Sequence, residues 1–289
     1  MKRNILHSEI CNHVKRAMHE SSSYRAATLA MECLDLTSLT GHESEKDIDR
    51  LCKMALNTKT AAICVYPKFL ERAYDQLKGS CVRLATVINF PNGSQTNEGE
   101  LITIETVKRD ITDAIAKHAD EIDMVVDFEK FKSMDANSES AIRVMIETAK
   151  KSCGDDVPLK VILETAAFGQ ETEIYDLATI ALESGADFVK TSTGKHEDGG
   201  ATPDAVAAMA FAVRDYNSKY KLESGIKISG GVNGQNYAQY IELIRLILGR
   251  DALQPLRFRI GASSLYDDLK MTIETKGQVK SAPLRTMSY

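Results

Sequence analysis

The chain has 289 residues, 43% of them hydrophobic and 27% charged, which suits one α/β barrel with a sizeable core. A formal net charge of -5 and a pI near 5.8 exclude a general nucleic-acid binder, which would carry a basic excess. No apolar run approaches the ~20 residues needed to span a membrane.

The first 25 or so residues read as an amphipathic helix, with Leu6, Ile10, Val14 and Met18 at helical spacing until Ser21-Ser22-Ser23 weakens the pattern. Short apolar, β-branched runs then alternate with segments of helical period. Strands are expected at 33–39, 61–66, 83–90, 121–126, 159–164, 188–193, 225–230 and 257–262. Helices are expected at 45–57, 67–77, 99–118, 138–153, 171–184, 202–216 and 236–248. Ser44 can cap the first of these with Asp47 three residues on, and Pro203 stands just inside the start of another. Eight β/α units without a low-complexity linker fit a closed (β/α)8 TIM barrel of α/β class better than an open sheet. The reading divides the chain into an N-terminal helical extension, 1–25, and one barrel domain with a C-terminal tail, 26–289.

The cysteines Cys11, Cys33, Cys52, Cys64, Cys81 and Cys153 form no CxxC pair. Cys33, Cys52, Cys64 and Cys81 fall among apolar residues, so buried thiols in a reducing cytoplasm are expected. The N-terminus, Met1 to Ile10, lacks the apolar core of a signal peptide. The histidines His7, His13, His19, His42, His118 and His196 are scattered without ligand spacing, so no metal is expected. With no GxGxxG or Walker loop, no nucleotide cofactor is expected either.

In such barrels chemistry gathers at the C-terminal ends of the strands. That rule selects Asp35 and Thr37 on strand one, Asp123 on strand four, Lys160 and Glu164 on strand five, Lys190 on strand six and Lys227 on strand seven. A lysine inside a strand must be paired, sit in a polar cavity or give up its charge. Each lysine alone could be one half of a buried ion pair with Asp123 or Glu164. Lys190 and Lys227 on adjacent strands favour another role, because a second cation lowers an amine's pKa and a neutral amine attacks carbonyls. Asp123 could then relay protons. Thr193-Gly194-Lys195, Ser229-Gly230-Gly231 and Gly261-Ala262-Ser263-Ser264 end strands six to eight, and three such turns suggest a phosphate site. These residues leave open another imine-forming barrel, such as a transaldolase, or a sugar-phosphate binder without turnover.

The stretch Asp187-Phe188-Val189-Lys190-Thr191-Ser192-Thr193-Gly194-Lys195 resembles the Schiff-base strand of the deoxyribose-phosphate aldolases, class I aldolases with a (β/α)8 fold. Leu34-Asp35-Leu36-Thr37, Asn89-Phe90-Pro91, Asp120-Glu121-Ile122-Asp123, Leu159-Lys160-Val161-Ile162-Leu163-Glu164-Thr165, Lys227-Ile228-Ser229-Gly230-Gly231 and Gly261-Ala262-Ser263-Ser264 follow in family order. The resemblance runs from about residue 25 to the C-terminus. It implies reversible cleavage of 2-deoxy-D-ribose 5-phosphate to D-glyceraldehyde 3-phosphate and acetaldehyde, in deoxyribose phosphate catabolism. It further implies that Lys190 forms the imine, Lys227 tunes it, Asp123 transfers protons and Lys160 holds Asp123 or a water. Phosphate would lie on Gly194, Lys195, Gly230, Gly231, Ser263 and Ser264, with Asp35 and Thr37 near the substrate. The terminal Tyr289, by itself the end of a tail, gains a role in proton abstraction, and a homodimer becomes a natural assembly. Three segments depart from the family pattern: an N-terminal segment longer than in compact members, Asp127-Phe128-Glu129-Lys130, and the acidic loop His196-Glu197-Asp198-Gly199-Gly200.

Overall fold

The computed structural model describes residues 2–277 except Asn97 and Met134. Eight parallel strands close into a barrel in sequence order: β1 (Leu34–Thr37), β2 (Ala62–Val65), β3 (Arg83–Ile88), β4 (Glu121–Val125), β5 (Leu159–Ile162), β6 (Phe188–Lys190), β7 (Gly225–Ser229) and β8 (Phe258–Ala262). All eight expected strands are present, each ending earlier than or at its expected boundary. On β5 the reason is local, since Glu164 takes a left-handed conformation at φ 54° and turns the chain out of the ladder.

The helices α1 (Lys2–Ala17), α2 (Tyr24–Glu32), α3 (Glu45–Thr58), α4 (Leu70–Leu77), α5 (Ile104–Ala116), α6 (Phe128–Lys132), α7 (Ser138–Cys153), α8 (Glu171–Glu183), α9 (Pro203–Tyr220), α10 (Tyr237–Leu248) and α11 (Leu265–Glu274) cover the barrel. Ser44 and Asp47 form the expected reciprocal cap on α3, and Pro203 opens α9. Three helices stand where none was expected. The serine run is a break, and Ser23 then caps α2 through the Ala26 amide. The departing segment after β4 is α6, capped by Asp127, whose carboxylate accepts from the Lys130 amide. After β8 the chain continues as α11, which packs on α2.

α1 lies against α8, α9 and α10, where Ile10 is buried and the His13 ring meets Phe211 edge-on at 5.3 Å. Among the described residues no helix is long and apolar enough to cross a membrane. Cys33, Cys52 and Cys64 are buried as expected, but Cys81 is exposed, because it lies in the turn before β3 and not on a packed face.

The strands differ from the near-continuous apolar runs of the sequence reading in one decisive respect. Leu34, Leu36, Ile122, Met124, Val161, Val189, Ile226, Ile228 and Ile260 are fully buried in the hydrophobic core. The residues alternating with them are Asp35, Glu121, Asp123, Lys160, Lys190, Lys227 and Arg259, equally buried but joined to one another by ion pairs. Each buried aliphatic side chain contributes about 1.5–3 kcal/mol, so the outer layer stabilises a barrel whose inner face is charged.

Candidate active site

Strand register decides which of these charges meet. Asp123 pairs with Lys160 across β4 and β5, Lys190 with Lys227 across β6 and β7, and Lys227 with Arg259 across β7 and β8. Residues paired in a parallel sheet point to the same face, so all five project inward. Lys227 has room because Gly261 carries no side chain. A Cβ there would stand 3.0 Å from the Lys227 Cε and 3.0 Å from the Ser229 Cβ.

Asp123 is the hub. Its Oδ1 accepts from Lys160 Nζ at 2.7 Å, and its Oδ2 accepts from Lys190 Nζ at 2.8 Å and from Lys227 Nζ at 2.7 Å. Lys160 also pairs with Glu121 Oε2 at 2.7 Å, and Lys227 with Asp35. Lys160 and Lys227 thus each bridge two carboxylates at bonding distance, whereas among the described residues Lys190 has Asp123 alone. Glu164 takes no lysine. Its Oε2 accepts from the Thr193 amide at 3.1 Å and from the Thr193 hydroxyl, and its buried Oε1 has no hydrogen-bond partner among the described residues.

The three amines respond differently to this shared environment. Burial pushes the Lys190 amine below its ordinary pKa; Asp123 opposes the shift and Lys227 reinforces it. Burial also disfavours charge on Lys160 and Lys227, but Asp123 with Glu121, and Asp123 with Asp35, overcome it and raise both. Asp123 itself is pushed up by burial, yet the three lysines hold its carboxyl well below the usual carboxylate range. Beside the cluster, burial pushes the Cys64 thiol up to about 11.

Two members of this network escaped the sequence reading. Arg259 donates from Nη1 to Asp35 Oδ1 at 2.6 Å and from Nη2 to Glu121 Oε1 at 2.6 Å. A signal for both was available. Arg259 lies two residues before Gly261 and Glu121 two before Asp123, positions that a strand's alternation places on the inner face.

The proposed phosphate turns lie together at the mouth. Gly194, Gly230 and Gly231 have φ of 75°, 84° and 76°, which suits glycine. The β6 and β7 loops touch closely, for a Cβ on Gly200 would come within 2.5 Å of the Gly230 carbonyl carbon. The Ala201 amide donates to the Gly230 carbonyl at 2.9 Å. Lys195, Ser263 and Ser264 are exposed, and Ser264 precedes α11 without capping it by its side chain. Thr37 is half-buried, its hydroxyl donating to its own strand at the Asp35 carbonyl. In the acidic loop, His196 packs edge-on to Phe128 of α6 at 5.9 Å while Glu197 and Asp198 are exposed. Tyr289 lies outside the described residues.

A closed (β/α)8 barrel with three lysines on one carboxylate at its centre has the makings of an imine-forming enzyme. Comparison makes the reading particular: residues 29–243 match the DeoC/LacD family of aldolases. A deoxyribose-phosphate aldolase of Agrobacterium fabrum is 38% identical over 248 residues, 84% of this chain and 90% of its own. A Toxoplasma gondii structure provisionally named a deoxyribose-phosphate aldolase superposes with a TM-score of 0.77 at 25% identity, over 88% of this chain and 96% of that one. The deoxyribose phosphate aldolase of Aeropyrum pernix shares the fold, with a TM-score of 0.67 at 22% identity over 89% and 95% of the two chains. The chain belongs to the DeoC/LacD aldolase family, and is therefore a lyase.

Proposed function

We propose that the protein cleaves 2-deoxy-D-ribose 5-phosphate reversibly into D-glyceraldehyde 3-phosphate and acetaldehyde, through an imine on Lys190. One observation carries the choice of Lys190: it is the lysine of the cluster with a single carboxylate partner, and so the one that loses its proton most readily. Its neutral amine adds to the open-chain aldehyde and water leaves. The C2–C3 bond then breaks as the C3 hydroxyl gives up its proton, and the bond's electrons pass into the enamine. Protonation of the enamine carbon and hydrolysis release acetaldehyde and restore the amine.

Asp123 lies 2.8 Å from Lys190 Nζ and serves the proton transfers, with Lys160 and Lys227 fixing its carboxylate. Asp35 acts through Lys227, and Thr37 faces the substrate at the rim. The phosphate rests on Gly194, Lys195, Gly230, Gly231, Ser263 and Ser264, where backbone amides and small hydroxyls are accessible. Tyr289 belongs to this reading as an aid to proton abstraction. So do a catalytic barrel of residues 26–289 with an extension over 1–25, a cytoplasmic location and a homodimer.

The test is reductive trapping. Acetaldehyde or the sugar phosphate with borohydride should add mass to the peptide that contains Lys190, and an adduct confined to any other peptide sinks the assignment. For the phosphate turns, Lys195→Met should raise KM for 2-deoxyribose 5-phosphate roughly tenfold or more, the loss of one charge-assisted contact. Unphosphorylated 2-deoxyribose should be turned over as before. An equal loss on both sugars would place Lys195 outside the phosphate site.

A further inference from the structure

The barrel interior holds four basic groups, Lys160, Lys190, Lys227 and Arg259, against three carboxylates, Asp35, Glu121 and Asp123, all buried. Glu164, whose carboxyl burial pushes toward the neutral form, stands outside this count. The seven groups, fully ionised, carry one excess positive charge. Uncompensated charge away from water is costly, so the set is relieved by losing one proton. Arginine does not release one. Lys160 and Lys227 are each held by two carboxylates, which leaves Lys190.

We propose that Arg259 and Glu121 act as positioning residues that set the charge balance of this interior and thereby make Lys190 the amine that sheds its proton. Arg259 supplies the surplus cation without touching Lys190, for its guanidinium spans Asp35 and Glu121. Glu121 holds Lys160 at 2.7 Å and so keeps that amine charged. The inference rests on Lys190 as the imine-forming amine.

Other groups also act on the cluster. Asp123 from β4 and Lys227 from β7 are the charged groups that weigh most on Lys190, and Cys64 of β2 faces the same space. Lys160 of β5 bears on it through Asp123, and Asp35 of β1 through Lys227. Glu164, just beyond the end of β5, lies close enough to feel the Lys190 charge. Arg83 of β3 approaches Glu121 at 3.6 Å but is partly exposed, so solvent screens it.

Charge counting gives the two residues opposite signatures. Without Arg259 the remaining three lysines balance three carboxylates with Lys190 protonated, so Lys190 holds its proton to higher pH. Without the Glu121 charge the surplus rises to two, and Lys190 loses its proton at lower pH. The acid limb of kcat/KM, which reports the free enzyme's essential base, should move up by about half a pH unit or more in Arg259→Met and down by a similar amount in Glu121→Gln. Arg259→Lys, which keeps the charge, should leave the limb in place even if the rate falls.

A structural role alone would lower activity without moving the limb, or move it the same way in both variants; either result overturns the proposal. If Arg259→Met does not fold, Glu121→Gln decides, since its limb must fall. Borohydride trapping on the wild-type protein separates the two readings. No adduct on Lys190 overturns both, whereas an adduct there with an unmoved limb overturns only this one.

Discussion

Lys190→Met should abolish carbon–carbon cleavage, lowering kcat by a factor on the order of ten thousand or more, as loss of a covalent nucleophile does elsewhere. It should do so with little effect on folding. Methionine keeps an unbranched apolar stem in the space that the lysine stem already fills. It also removes the surplus cation, leaving Lys160, Lys227 and Arg259 against Asp35, Glu121 and Asp123. The thermal midpoint should therefore stay within a few degrees of the wild type. Lys190→Arg should be equally inactive for a different reason, because guanidinium keeps its proton at every accessible pH. Steady-state kinetics with a thermal melt checks both. A variant that folds and retains about one per cent of wild-type activity would show that another amine carries the reaction.

Asp123→Asn should damage both stability and rate. The carboxylate is fully buried and accepts hydrogen bonds from the amines of Lys160, Lys190 and Lys227, two of which stay charged. Removing one partner of a buried ion pair costs about 3–5 kcal/mol, because the other charge stays behind. For a protein of this size that is a fall of about 10 °C in thermal midpoint. The rate should drop a further hundredfold or more, the usual contribution of a positioned proton-transfer group. Asp123 also sets an acid-stability expectation. Its folded-state pKa is depressed below 3.8, so its contribution is complete above that value and is lost only as the pH falls through the depressed one. Titrating from neutrality toward pH 5 should leave this part of the fold intact in the wild type. An Asp123→Asn protein that melts with the wild type would remove Asp123 from the centre of the charge network.

The periodic features of the fold were legible because their causes are local. Apolar runs bounded by glycine and polar residues mark the strands, and Ser44 with Asp47 marks a helix start that a reciprocal hydrogen bond enforces. The candidate lysines were legible because a cation within a strand is expensive. What escaped depends on contacts distant in sequence. Asp123 meets Lys190 and Lys227 from 67 and 104 positions away, so its service to three amines at once becomes visible only when the barrel closes. Arg259 was masked by the glycine and serines at and beyond the end of β8, although its alternation with Gly261 points it inward. Glu164 was grouped with the ion-pair candidates, yet its left-handed backbone takes it out of β5, and it holds Thr193 instead.

The described part of β6 as a strand is three residues long, with Phe188 and Lys190 facing inward on either side of Val189. Phe188 fits beneath because Gly225 opposite has no side chain, and a Cβ there would lie 2.3 Å from the ring. The strand therefore works as a parity device. A single residue gained or lost between Phe188 and Lys190 exchanges inside for outside, sending the amine into the helical layer and an aliphatic into the charged interior. Along this strand, as along those that carry Asp123, Lys160 and Lys227, the reaction is governed by odd and even.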